Sequence, residues 1–244
     1  MTEVHKNKTK KRNNEFKTGC KKGIPICLGY IPVSFTFGLM AVQGGFPPWF
    51  PIFISITNLT SAGQFAGLQL ILQNSTLVEI GITTFIINIR YMLMSLSLSQ
   101  KISPTMSFLK RALISYGITD ETFAVSSMEK EELSFGYLGG LMIGPIFGWT
   151  LGTSLGAFAS SLLSDRIQSA MGIALYAMFI ALVIPASKYS KKITAVLFLS
   201  VFLSCLCTWT PVLNKIPSGW KLIVATLVSA GIGATLFPIE EGQK

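Results

Sequence analysis

Charge is what this sequence has least of. Only 13% of its 244 residues are Asp, Glu, Lys or Arg, about half the roughly 25% of a soluble globular chain, and a soluble cytosolic domain is excluded. Histidine is reduced to His5, and cysteine to Cys20, Cys27, Cys205 and Cys207. These form no CxxC or Cys/His cluster, and Cys205 and Cys207, two apart, fall about 200° around a helix. The expectation is no metal, no disulfide framework and no cofactor. The sequence also has no P-loop, and no Ser/Lys or Asp/Asp pair at helical spacing inside an apolar stretch. An intramembrane enzyme is therefore the weakest functional class.

The little charge that is present is badly mixed. Lys and Arg outnumber Asp and Glu by 20 to 11, and residues 1–22 carry eight of the bases against Glu3 and Glu15. A basic run can bind phosphate, but this one has no stacking platform and abuts an apolar stretch. Its reading is a cytoplasmic flank that orients the first span and touches anionic lipid, not a nucleic-acid site. A cleaved signal peptide fits poorly, because the apolar run is too long and lacks a small-residue cleavage site.

Behind that flank, residues 23–78 hold no charge at all, and further uncharged runs cover 133–164, 167–187, 193–214 and 222–239. Each approaches or exceeds the ~18 residues of a membrane-spanning helix. None shows the alternation of a membrane β-barrel. The fold class is all-α and polytopic, with about six or seven transmembrane helices. The expected layout is a basic tail 1–22, a single transmembrane domain 23–238 and a short tail 239–244, in the cell membrane with a cytoplasmic N-terminus.

The second apolar element is interrupted. Asn58, Thr60, Ser61, Gly63 and Gln64 fall in the middle of 50–72, where polar side chains are tolerated only against a cavity or protein. Ser61-Ala62-Gly63-Gln64 matches a capping box, so half-helices 50–59 and 62–73 are expected, the second starting at Ser61. A helix start at membrane depth suits a carboxylate. An ordinary span with small polar residues against its neighbours is the alternative. Counting Lys and Arg at each side favours a re-entrant 50–73, which keeps Lys101, Lys110 and Arg111 on the side of the basic tail.

Three other features stand out. A third span, 76–98, carries Glu79, Asn88 and Arg90, and Arg90 is either a structural partner of a carboxylate or a substrate ligand. The polar region 100–132 holds Asp120 and Glu121 behind Thr119, a good N-cap. Those acids are either solvated or placed near Arg90 as a gate or proton carrier. In the fourth span, Gly136, Gly140, Gly144, Gly148, Gly152 and Gly156 recur at every fourth position, a stripe for close helix packing. Ser126 to Glu129 resembles a second capping box before that span. Spans near 168–186, 194–211 and 220–238 carry few polar groups.

TSAGQFAGLQLI, TTFIINIRYMLMSLSLS and ITDETFA, in that order, resemble the AzlC family, the large subunits of branched-chain amino acid exporters. GIPICLGYIPVSFTFG and FGWTLGTSLGAF are similar to the same family's first helix and Trp-Gly segment, so the resemblance runs over nearly all of 23–238. It implies a permease exporting valine, leucine and isoleucine, proton-driven and paired with a small AzlD-type membrane subunit. Ser61, Gln64, Asn88, Arg90, Asp120 and Glu121 sit on the family's motif positions.

On that reading the start at Ser61, with Gln64, takes the substrate carboxylate, and Asn88 with the carbonyls of 58–61 takes the ammonium. Phe65 and Phe85 shape the apolar pocket. Asp120, Glu121 or Glu79 carries the proton, with Arg90 as its partner or gate. The alternative is a scaffold subunit whose glycine stripe holds a partner that does the transporting.

Overall fold

The computed structural model describes residues 2–160, 190–210 and 218–237, with isolated positions between them. The span expected at 168–186 lies outside the described residues. Among these residues the secondary structure is helical, apart from one isolated bridge between Ile102 and Leu133. The helices are α1 (Thr2–Gln43), α2 (Trp49–Thr57), α3 (Ala62–Leu72), α4 (Leu77–Ser99), α5 (Phe108–Tyr116), α6 (Asp120–Ser127), α7 (Phe135–Ala159), α8 (Lys191–Trp209) and α9 (Ser218–Leu236). Among the described residues, five stretches are long and apolar enough to cross a membrane: 14–43 and the bulk of α4, α7, α8 and α9. The chain is an all-α polytopic membrane protein.

Two compact units divide it, residues 1–65 with 87–175, and 66–86 with 176–244. The first is organised on the α1–α7 pair. Carbonyl oxygens of α1 occupy the places where side chains would stand on α7: Phe16 at Gly140, Cys27 at Gly148, Ile31 at Gly152 and Phe35 at Gly156. Gly19, Gly23 and Gly38 of α1 receive the carbonyls of Tyr137, Leu141 and Thr153 in return. Residue numbers rise together along the contact, so the two helices run parallel. Gly144 meets Cys27 and Gly23 at 3.5 Å, while Gly136, in the first turn, is half-buried. The stripe is therefore spent inside the chain, where absent Cβ atoms let two backbones touch.

α1 begins well before residue 24, where the span was expected. Gly19 already lies against Tyr137, Glu15 accepts from the Ser134 hydroxyl at 2.8 Å, and Lys22 pairs with Glu129. The basic segment is a continuation of the helix, because packing against α7 starts at Phe16. α7 itself is capped by Ser134, whose hydroxyl accepts from the Tyr137 amide at 3.1 Å. The Ser126 box does not form, since Ser126 is interior to α6.

Between α1 and α7 the chain makes two short hairpins that enter from opposite ends. At the end marked by Lys22 and Glu129, Lys101 donates to the carbonyls of Ser127 and Glu129, and Lys110 stands 5.7 Å from the Phe135 ring. From that end α5 runs inward until Gly117 meets Met142, and α6 returns to Ser127. The other hairpin is α2–α3. At the start of α3, Gln64 Nε2 donates to Ser55 Oγ of α2 at 3.2 Å, Tyr91 of α4 donates to Thr60 O, and Gly63 lies against Asn88. At nine and eleven residues, α2 and α3 are each about 14–17 Å long, half a bilayer. Within the first unit, Lys101 and Lys110 lie at the end marked by Lys22 and Glu129.

The second unit is simpler. α8 and α9 pack on each other, with Gly233 against Val196.

Candidate functional site

The break between α2 and α3 is built by its own sequence. Asn58 ends α2 in an extended conformation, and its Oδ1 accepts from the Thr60 amide at 3.1 Å. Ser61 then adopts φ +45°, a left-handed conformation that non-glycine residues rarely take, and α3 starts at Ala62. That differs from the capping box expected at Ser61. An N-cap residue needs β-region backbone, which Ser61 lacks, and the Gln64 amide group is engaged with Ser55. The α3 start is also partly satisfied locally: Gly63 N–H donates to Thr60 O and Phe65 N–H to Ser61 O.

Polar groups then link the break to α7 and α4. Ser55 Oγ lies 2.8 Å from Thr153 Oγ1 and accepts from Gln64, giving a buried chain from α3 through α2 to α7. The Tyr91 hydroxyl donates to Thr60 O at 3.3 Å, pinning the unwound stretch to α4. Phe65 is buried edge-on to Phe37, with ring centroids 5.5 Å apart. Phe85 is 66% exposed.

The opposing tip carries the charges. Thr119 caps α6 in a reciprocal box with Thr122, placing Asp120 and Glu121 in the first turn, where the helix dipole favours carboxylates. Arg90 of α4 pairs with Asp120 at 3.0 Å and lies 5.2 Å from the Tyr91 ring. Tyr30 of α1 donates to the Glu121 carboxylate, with Thr119 Oγ1 2.8 Å away. The two tips touch where the Tyr116 hydroxyl donates to Ile56 O. Along α7 the tip of one hairpin lies at Met142 and α2 touches Thr153. Trp149 falls between them, fully buried and edge-to-face with Tyr30 at 5.3 Å.

Several buried atoms around these tips have no hydrogen-bond partner: Thr60 Oγ1, Gln64 Oε1, Asn88 Oδ1, Arg90 Nε and Trp149 Nε1. An unsatisfied buried polar group costs about 1–3 kcal/mol, so a cluster of them marks a place meant for something else.

Residues 25–163, which contain both hairpins and the α1–α7 pair, match the AzlC protein family. The chain belongs to the AzlC family. Inner membrane protein YgaZ of Escherichia coli (strain K12) is 32% identical over 191 residues, covering 75% of this chain and 78% of YgaZ. An uncharacterized membrane protein of Archaeoglobus fulgidus is 36% identical over 175 residues, 71% of this chain and 76% of its own. One from Helicobacter pylori is 28% identical over 170 residues, 68% and 73% of the two chains. No solved structure matches.

Set against this AzlC-family fold, most of the residues singled out from sequence gather at the two tips: Asn58, Ser61, Gln64, Phe65, Asn88, Arg90, Asp120 and Glu121. Glu79 has a partner of its own. It belongs to the second unit, where its buried carboxylate accepts from the Gly219 amide at 2.8 Å and so caps α9. Sequence reasoning missed Tyr30, Ser55, Trp149 and Thr153. Tyr30 and Ser55 were legible as hydrogen-bonding side chains inside a 56-residue run without charge (residues 23–78). Trp149 and Thr153 are buried on the glycine-striped helix.

Proposed function

We propose that this AzlC-family membrane protein is a secondary exporter of branched-chain amino acids. On this reading it is proton-coupled and works with a small membrane subunit. The supporting observation is the meeting of two half-membrane hairpins, one uncharged and unwound, the other carrying an ion pair to α4. Such a pair of tips offers a polar site at mid-depth inside an otherwise apolar body. Asp120 is the candidate proton acceptor. Protonation neutralises it and frees Arg90, and the hairpin carrying α5 and α6 is then released from α4. Glu121, held by Tyr30, is the second carboxylate on the same tip. The glycine stripe is occupied by α1 of the same chain, so it supplies no docking face for the scaffold alternative.

The test is export from cells loaded with Val-, Leu- or Ile-containing dipeptides, with and without the gene, and with the small partner added. Expression should lower intracellular branched-chain amino acids, and an uncoupler should abolish the difference. Unchanged pools at verified membrane abundance would reject the exporter reading.

A further inference from the structure

Glu121 is the start of a file of hydroxyl groups that leads away from the tip along α6. Tyr30 donates to its carboxylate, and Tyr30 Oη also lies 2.8 Å from Thr119 Oγ1. Thr119 Oγ1 in turn is 3.3 Å from Thr122 Oγ1, which donates to Gly117 O at 2.9 Å. Thr119, Thr122 and Ser126 are all buried, the last two with no exposure at all. No charged residue occurs from Thr122 to Met128, so α6 offers only hydroxyls as polar side chains between Glu121 and Glu129.

Ser126 is the residue that structure alone does not explain. Its Oγ is buried and has no hydrogen-bond partner. A hydroxyl inside a helix ordinarily turns back to a carbonyl one turn earlier, as Ser34, Thr36 and Ser154 do in this chain. Ser127, on the less buried side of α6, does so with Ala124 O. Ser126 does not, and an unpaired hydroxyl at that depth costs about 1–3 kcal/mol. It stands four positions beyond Thr122, about 40° around the helix with Cβ atoms about 5–6 Å apart, a gap that one water closes.

Past Ser126 the file reaches the end marked by Lys22. The Glu129 amide donates to Ser126 O at 3.2 Å, so the two residues adjoin. The Glu129 carboxylate takes Lys22 and the Tyr137 hydroxyl, the latter at 2.7 Å, and its side chain is 26% exposed. Lys101 stands beside it, donating to Glu129 O at 3.1 Å. Carboxylates therefore stand at both ends of the file, Glu121 at the tip beside Asp120 and Arg90, and Glu129 within reach of solvent.

We propose that this file is a proton wire, by which a proton held at the tip moves to the end of the basic segment through Tyr30, Thr119, Thr122 and Ser126 to Glu129. The inference rests on the proton-coupled reading and supplies the route which that reading leaves open. Each hydroxyl oxygen accepts one proton and gives up its own to the next, which a group with one O–H and two lone pairs can do. Glu121 ends deprotonated and Glu129 protonated, while every hydroxyl and bridging water regains its composition. Only O–H bonds are exchanged. Neutral carriers suit the place, since an ionised side chain buried in the same stretch would cost far more. Glu129 then releases the proton to solvent beside Lys22 and Lys101.

The experiment reconstitutes the full-length chain, with the small membrane subunit present, in proteoliposomes and reads two quantities: leucine transport driven by an imposed pH gradient, and leucine exchange without a gradient. Exchange needs no net proton movement. Thr122→Val and Ser126→Ala each remove one hydroxyl and should lower the ratio of driven transport to exchange by about tenfold or more. Thr122→Val also opens the capping box with Thr119, an effect that falls on both quantities alike. Thr122→Ser keeps the hydroxyl and should keep the ratio. Ser127→Ala, off the buried face of the same helix, is the control and should change neither quantity. Ser126→Ala should also melt no lower than wild type, because the hydroxyl it removes is unpaired.

An unchanged ratio in either Thr122→Val or Ser126→Ala overturns the wire while leaving the exporter reading standing. So does an equal fall of driven transport and exchange, which is what a structural role would produce. A wild-type chain that exchanges leucine without responding to the gradient overturns the wire and proton coupling together, and keeps leucine as cargo. If the wild type neither exchanges nor transports leucine, the wire and the exporter reading both fail.

Discussion

Replacing Gly156 by alanine should separate α1 from α7 and lower the melting temperature measurably. The added Cβ would lie 2.7 Å from the carbonyl carbon of Phe35 and 2.9 Å from its Cα, against an optimum near 3.5–4.0 Å. These are backbone atoms in the middle of a helix, so no rotamer change relieves the clash, and α1 must withdraw by about 1 Å. Overpacking of this kind costs about 1–3 kcal/mol. For a chain of this size each kcal/mol moves the midpoint by about 2–4 °C, which gives a fall of about 2–12 °C. Alanine also gains about 1 kcal/mol over glycine in a helix, and that gain would mask part of the loss. Gly139→Ala provides the correction, because it adds the same residue to the same helix where nothing lies within 4 Å. The difference between the two variants isolates the packing term. Intrinsic fluorescence melts of both, purified in one detergent, measure it. Midpoints within about 1 °C of each other would refute the interlocked reading of the pair.

Other perturbations test the tips. Arg90→Leu should cut export at least tenfold, a loss of about 1.4 kcal/mol or more, and the exchange Arg90→Asp with Asp120→Arg should restore part of it. Asp120→Asn removes the candidate proton acceptor and should flatten the pH profile of export. Tyr30→Phe removes the donor to Glu121 while keeping the ring on Trp149; it should lower transport with a melting shift of only about 2–4 °C. At the other end, hydrogen bonds from Lys22 and Tyr137 hold the Glu129 carboxyl below its ordinary 4.5. The stability of that contact is fully present above pH 4.5 and is lost as pH falls through the lower folded-state value. The gap in melting temperature between wild type and Lys22→Met should therefore stay constant at neutral pH and close in acid.

The helical class, the interrupted second element and the glycine stripe could be read from sequence because each is a local pattern. A missing charge over 56 residues (23–78) or a Gly at every fourth position needs no partner to be recognised. What the stripe packs against is not local. Its complement, Gly19, Gly23 and Gly38, is irregularly spaced on α1 and looks like ordinary membrane-helix glycine until α7 is beside it. The same limit explains Ser61. S-A-G-Q fits a capping box by spacing, but Ser55, nine residues upstream, offers Gln64 a buried partner, and the side chain goes there. Within 100–132, the stretch 114–127 is too short and polar for a span, and no span candidate falls there, yet nothing in its composition distinguishes a surface loop from a hairpin pushed into the bundle. Only the hydrogen bonds from Tyr30 to α6 and from Tyr116 to α2 do so. Arg90 and Asp120 are thirty residues apart, and sequence offered their pairing as one of two readings.

On the re-entrant reading, two hairpins that each reach only halfway would leave the membrane barrier thin at one place. An applied voltage falls across the insulating part of a protein, so the field concentrates where the tips of α2–α3 and α5–α6 meet. A full elementary charge crossing the whole barrier is worth about 2.3 kcal/mol per 100 mV, and a proton delivered to Asp120 from either end crosses a share of it over a few ångströms. On the proton-coupled reading, occupancy of the Arg90–Asp120 pair would be set by membrane potential as well as by pH. A zwitterion carries no net charge through that field, so in a proton-coupled cycle the voltage dependence would report the proton alone.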